Sequence, residues 1–363
     1  MTSTRTHSAA PDDAPFYLAA ASSSIVLTLV YFSLFQHPLR EEELLAHTHF
    51  YPISKAEGRA AIRSLLDRGI LESVDGLFCL QGEGPSAAVR AEREARAATW
   101  KPRVGRSIRA LSRLPFLRGL AISGSMSKGT QDLDGDIDFF VLTAPNRLWT
   151  ARFFAALMVK LLPKAQRVNY CLNYYLPEDR LSIPDRTLFS ATEVAFLKPV
   201  LNGELFSAFF ELNAWVKTFY PNWEPPSGAI PNLPRGALQR LVEWPLSGRL
   251  GDFLETWVSR WLIRRQQRQM DNPAPGRSAT EVRLNSGEFK GHTKGHHGRT
   301  HQAWLERVDR LEADLSIRLI RWPWAEAWTS RAARIGSFRL PTADSSRPIL
   351  PLWATTRRAL PPR

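Results

Sequence analysis

Three rhythms of apolar and polar positions run along the 363 residues. The first is a continuous run: residues 16–35 carry no charge, although Ser22, Ser23, Ser24 and Ser33 interrupt it. Twenty such residues approach the length that spans a bilayer. The serines, the lack of a preceding Lys/Arg cluster and the lack of a small-residue cleavage site point instead to a buried first helix near residues 23–35. The second rhythm is helical. His37-Pro38 breaks the first helix, residues 41–46 begin another, and Ser54 opens a third. In that third helix Glu57 completes a capping box, and Ala60, Ile62, Leu65 and Leu66 return at helical spacing until Gly69 ends it. The third rhythm is alternation: residues 70–80, ILESVDGLFCL, predict a hairpin with Asp75-Gly76 at its turn.

Three helices followed by a hairpin resemble a winged helix. Such a module would read DNA through its third helix, where Lys55, Arg59, Arg63 and Arg68 would face phosphates and Glu57 and Asp67 would oppose them; winged helices also serve as plain interaction modules. The expected class is α+β. Composition divides the chain into a polar tail (1–14), the winged-helix-like module (15–85), a basic connecting helix (86–118) and a small mixed-sheet domain (119–220). A Pro/Asn/Gly-rich linker (221–235), a basic helical region (236–328) and a Pro/Arg-rich tail (329–363) follow. Within 119–220 the pattern predicts strands at 120–123, 137–142 and 168–176, a helix at 148–162, and amphipathic helices at 191–200 and 205–219. Further on it predicts helices at 236–270, with an interruption at Pro245, and at 300–321.

The candidate chemistry lies in residues 124–142, GSMSKGTQDLDGDIDFFVL. A Gly124-Ser125 turn leaves one strand, and after ten residues Asp136-Ile137-Asp138 enters the next. Alternation puts Asp136 and Asp138 on one face. Two carboxylates so close repel unless a cation lies between them, and hard oxygen ligands suit Mg2+ (or Mn2+) together with substrate phosphates. The glycine lets backbone N–H groups approach a phosphate, and Lys128 adds a point charge.

Gly-Ser, a loop of about ten residues and Asp-x-Asp at the head of a strand resemble the signature of the DNA polymerase β nucleotidyltransferase superfamily. The signature covers about twenty residues; a weaker likeness to bacterial proteins with this domain extends over roughly 15–220. The resemblance implies transfer of a nucleoside monophosphate from a nucleoside triphosphate (NTP) to a hydroxyl acceptor. Asp136 and Asp138 would be the catalytic metal ligands, with Gly124, Ser125 and Lys128 at the triphosphate. Active members carry a third carboxylate on a later strand. Here that strand, RVNYCLNYYL at 167–176, offers Asn169 and Asn173, and the nearest acids are Glu178 and Asp179 at its end. Asn173 can ligate a metal as a neutral carbonyl but cannot take a proton. Two readings therefore stand: an enzyme whose base comes from elsewhere, or a catalytically degenerate domain that binds nucleotide, a partner or DNA and regulates.

Charge changes the list of partners. Residues 226–363 hold 23 Lys/Arg against 12 Asp/Glu, most of the chain's net +13. Nucleic acid is thus a candidate partner for the basic C-terminal third, beside a plain solvated surface. A membrane partner is not expected. Four of the eight histidines fall in 291–301, with no acid or cysteine to complete a metal site, so a basic loop is the expectation. Trp322, Trp324 and Trp328 offer stacking surfaces or core. Cys79 and Cys171 stand far apart and build no disulfide framework, which fits a reducing cytoplasm.

Overall fold

The computed structural model describes residues 16–167, 170–232, 236–271, 283–285, 288–290, 296–320 and 322. The tails 1–14 and 329–363, Asn169, residues 291–295 and Trp324 and Trp328 lie outside them. All the described elements fall in the compact unit that ends at Ile320. In chain order they are β1 (Phe16–Tyr17), α1 (Ala20–Ser33), β2 (Leu39–Arg40), α2 (Glu41–Ala46), α3 (Lys55–Asp67), β3 (Leu71–Val74), β4 (Leu77–Leu80) and α4 (Pro85–Leu111). Then come β5 (Leu117–Ile122), α5 (Gly124–Ser127), β6 (Asp138–Thr143), α6 (Leu148–Leu161), α7 (Lys164–Arg167), β7 (Cys171–Pro177), α8 (Leu188–Ala195), β8 (Lys198–Leu201) and α9 (Gly203–Leu212). The last are α10 (Ala237–Glu243), α11 (Arg249–Asp271), β9 (Arg283–Asn285), β10 (Glu288–Lys290), α12 (His296–Asp314) and β11 (Ile317–Arg318). The class is mixed α+β.

The charge-free run became a buried helix. From Ser22 to Phe32 every residue of α1 is buried. Its serines satisfy backbone carbonyls: Ser23 Oγ donates to Leu18 and Ser24 Oγ to His49. At 14 residues α1 is about 21 Å long, short of a bilayer core. No described helix is long and apolar enough to cross a membrane. The Ser54–Glu57 capping box opens α3. The β3–β4 hairpin pairs Val74 with Leu77 across Asp75 and Gly76, both at positive φ, and β2 extends it to three strands. On α3, Arg59 binds Glu41 at 2.6 Å and Arg68 lies over the Phe16 ring, so two of the four expected DNA-facing cations are already engaged.

The larger sheet has six strands in the order β8-β5-β6-β7-β10-β9. β6 and β7 are parallel, joined through α6, and every other pair is antiparallel. Leu120, Ile137, Phe139, Val141 and Trp149 form its core with Val258 of α11 and Phe289 of β10. Several expectations need correction. Residues 198–201 form the edge strand β8, not the end of a helix, because Leu201 and Pro199 pair with β5. The helix expected at 205–219 stops at Leu212 and continues as a 3-10 turn, Ala214–Thr218. The interruption expected at Pro245 is present: the 236–270 region breaks between Glu243 and Arg249. The last helix begins at His296 and ends at Asp314.

The basic C-terminal region is woven into the rest. β10 joins the sheet beside β7, and Glu255 of α11 accepts from the Trp149 and Thr150 N–H groups at the start of α6. β11 pairs in parallel with β1, and Trp304 of α12 donates to Leu27 of α1. The outer face of α11 exposes Phe253, Trp257 and Trp261 with Arg260 and Arg264 between them.

His49 is fully buried among the rings of Tyr31, Phe32, Phe50 and Tyr220, and neither ring nitrogen has a hydrogen-bond partner among the described residues. Burial, with His47 nearby, pulls its pKa down to about 3. An unfolded histidine titrates near 6.5, so the unfolded chain binds the extra proton first. His37 behaves alike: burial, then the charge of Arg90, lowers it to about 3. The contribution of these two groups is therefore complete above about pH 6.5 and falls towards pH 3, by up to about 1.4 kcal/mol per pH unit for each group. Urea unfolding between pH 7 and 4 should show this loss, and His49→Phe should lessen it.

Candidate active site

β5 delivers the chain to the site. At its end Ser123 N–H donates to the Asp138 carbonyl, and Gly124 turns with φ +63° into the single turn α5. Gly124 is required twice. Its φ lies in the left-handed region, and a Cβ there would collide with the Asp138 carboxylate. The loop that follows folds around Gln131, which is completely buried. Its side chain accepts from Ser125 Oγ at 3.1 Å and donates to the Asp136 carbonyl at 3.0 Å. Its backbone N–H donates to Arg93 and its carbonyl accepts from Arg96, both on α4. Arg93 also binds Asp132 at 2.6 Å. Gln131 thus ties the Gly-Ser turn, the acidic pair and α4 together.

Asp136 precedes β6 and Asp138 opens it, while Ile137 between them is wholly buried. The alternation holds although only one of the acids is in the strand. Oxygens of both carboxylates and the Cys171 sulfur all lie within 4.8 Å of one another. Burial first, then Asp136 and Glu193, push the Asp138 pKa up to about 7. Cys171 stands opposite Asp138 across the parallel β6–β7 pair. Burial, then the Asp138 charge and a hydrogen bond to Asp136, raise its thiol far above the ordinary value. Sulfur is a soft donor and suits a hard cation less well than the carboxylates do.

Asn173 reaches the pair as well. The β6–β7 register slips between Phe139–Leu172 and Phe140–Tyr174, which leaves Asn173 as the extra residue. Its Nδ2 donates to Asp138 Oδ1 at 2.9 Å. Glu178 and Asp179 follow the far end of β7, where Pro177 pairs with Thr143. They are roughly 20 Å along the strand from Cys171 and drop out as third ligands.

Gly124, Ser125, Lys128, Asp136, Asp138 and Asn173 line one cleft of about 670 Å³. All the site residues singled out in the sequence come together there. Two of them are already occupied by protein partners. Ser125 Oγ is held by Gln131, and Lys128 Nζ donates to the Gly124 carbonyl, pairs with Glu193 at 3.7 Å and lies over the Phe196 ring. The pattern did not single out Glu193, on α8, which brings a further carboxylate to the cleft. Nor did it find Gln131, Arg93, Cys171 or the end of α1, from Tyr31 to His37, which forms part of the wall. Only the position of Cys171 on the third strand carried any signal.

The donor set fits a divalent cation: two carboxylates whose mutual repulsion a cation would relieve, with a neutral amide beside them. No family model matches the chain, and no curated protein or solved structure is significantly similar to it.

In metal-free protein the raised Asp138 pKa costs stability. The folded state holds the proton longer than the unfolded chain does, so stability falls as pH rises from about 4 to about 7. Asp138→Asn removes this loss: its melting temperature should exceed wild type at pH 8 in EDTA, and the advantage should vanish near pH 4. Gly124→Ala should destabilise by about 1–3 kcal/mol at any pH, through backbone strain and displacement of Asp138.

Proposed function

We propose that this chain is a nucleotidyltransferase-like enzyme of the DNA polymerase β type, preceded by a winged-helix-like module. The observation that carries the reading is the convergence of Gly124, Ser125, Lys128, Asp136, Asp138 and Asn173 on one cleft. Order and pairing agree with it: a strand, the Gly-Ser turn, an antiparallel strand opening with the acids, a crossover helix and a parallel third strand.

In this reading Asp136 and Asp138 hold Mg2+ or Mn2+, with the Asn173 amide beside them. The bound ion would supply charge neutralisation on the phosphates and acidify the acceptor hydroxyl. The turn at Gly124 and Ser125 and the ammonium of Lys128 would position the β- and γ-phosphates. The hydroxyl oxygen of the acceptor bonds to the α-phosphorus, the α–β bridging P–O bond breaks, and pyrophosphate leaves. The hydroxyl proton goes to a carboxylate. Asn173 cannot take it, and Glu193 lines the same cleft without a role in holding the acidic pair. Glu193 is therefore assigned as the base, once the triphosphate has drawn Lys128 away from it.

The second reading, a degenerate domain that binds nucleotide, a partner or DNA and regulates, has one specific observation in its favour. The place near Asp138 is filled by the Asn173 amide, already hydrogen-bonded to it. The basic C-terminal third adds a candidate nucleic-acid surface in either reading, with Trp257 and Trp261 for stacking and Arg260 and Arg264 for phosphates.

The two readings separate on turnover. With each labelled NTP, Mg2+ or Mn2+ and a panel of hydroxyl acceptors, the wild type should transfer nucleotide. Asp136→Asn should abolish metal-dependent NTP binding. Glu193→Gln should retain binding and lose roughly 100-fold or more in rate. A wild type that binds NTP but transfers nothing, and that Asn173→Asp activates, overturns the enzyme in favour of the degenerate domain.

A further inference from the structure

We propose that the C-terminal end of α1 and the turn that follows it, supplied by the N-terminal module, form the nucleoside subsite of the cleft, with Phe35 of that turn as the surface on which the base stacks. The inference rests on the nucleotide reading of the acidic pair and assigns the remainder of the same cavity.

The cavity is larger than the acidic pair needs. Its 670 Å³ falls in the range, roughly 300–1,000 Å³, of clefts that enclose a ligand of nucleotide size. Its walls divide by chemistry. Arg93, Lys128, Asp132, Asp136, Asp138 and Glu193 bring the charges, whereas Tyr31, Phe32 and residues 34–37 bring rings, a leucine and a glutamine. His37 in this wall is neutral near pH 7. With the Arg93 charge answered by Asp132, this wall offers more to an uncharged flat ring than to a phosphate.

Among its aromatic side chains, Tyr31 and Phe32 are 2% and 1% exposed, and Phe35 is 43% exposed. Phe35 is thus the open ring of this wall; Phe189 of α8, partly buried, also lines the cleft. It is held from behind by Tyr31, ring centroids 5.6 Å apart and planes tilted by 60°. Gln36 follows at φ +50°, exposed, with an amide that both donates and accepts.

The subsite is tied to the phosphate end. Arg93 Nη1 donates to the Phe35 carbonyl at 2.8 Å, and the same side chain pairs with Asp132 of the motif loop. One arginine therefore sets the distance between the stacking ring and the loop that bears the acidic pair. This gives the N-terminal module a place in catalysis that needs no DNA.

The test compares Mg2+-dependent binding of each NTP with that of inorganic tripolyphosphate, by calorimetry on the full chain. Wild type should bind at least one NTP more tightly than tripolyphosphate. Phe35→Ala should weaken that NTP roughly 5- to 150-fold, the range for losing one base-stacking ring, and leave tripolyphosphate unchanged. Phe35→Trp should restore NTP binding. Because Phe35 is half exposed, an unchanged melting temperature is the check that α1 is intact. Undiminished NTP affinity in Phe35→Ala overturns the inference alone, and so does an equal loss for NTP and tripolyphosphate. If wild type binds neither molecule with Mg2+, the nucleotide reading of the cleft falls and this inference falls with it.

Discussion

Two carboxylates are held close together at a partly desolvated strand end, and the surrounding architecture bears the cost. Asp136 and Asp138 repel, and burial adds to the penalty on Asp138, so the metal-free site stores unfavourable energy. Several contacts prevent the acids from turning away. Gly124 packs against the Asp138 carboxylate so tightly that no side chain fits there. Asn173 donates to the same carboxylate, and Gln131 fixes the backbone at Asp136. The arrangement is locally costly and structurally over-determined.

The same constraint reaches into the N-terminal module through α4. Arg90, buried in that helix, binds Glu43 and Glu94 and donates to the Pro38 carbonyl, which anchors α2 and the end of α1. Arg93 and Arg96, farther along α4, hold the Phe35 carbonyl and the Gln131 carbonyl. One helix therefore aligns the end of α1 with the acidic loop. The C-terminal segment closes the arrangement from the other side: α12 lies against α1, β11 pairs with β1, and β10 extends the sheet beyond β7. Segments that look like separate modules in sequence are in this way parts of one cleft and its support.

The division between what was legible in the chain and what was not follows the range of the interactions. Local rules were enough for the Ser54 capping box, the Asp75-Gly76 hairpin, the buried α1 and the strand–turn–strand that carries Gly124, Ser125, Asp136 and Asp138. Each depends on residues a few positions apart. The chain also announced the lack of an acid on the third strand. It did not announce the bulge at Asn173, because a register slip is decided by how two whole strands and their neighbours pack. It misread residues 198–200 as helix for a similar reason: so short a segment takes its conformation from the strand it meets, here β5.

By itself, then, the sequence determined the acidic pair, its glycine turn and the elements that present them, since alternation and turn chemistry leave a strand little choice. Only the tertiary structure decided which other groups share the site. Glu193 on α8, Cys171 across from Asp138, Gln131 in the core of the loop and the Phe35 wall come from segments up to about 160 residues apart. No local pattern encodes such meetings. They follow from the packing of α1 and α4 against the loop and from the register in which β6 and β7 pair.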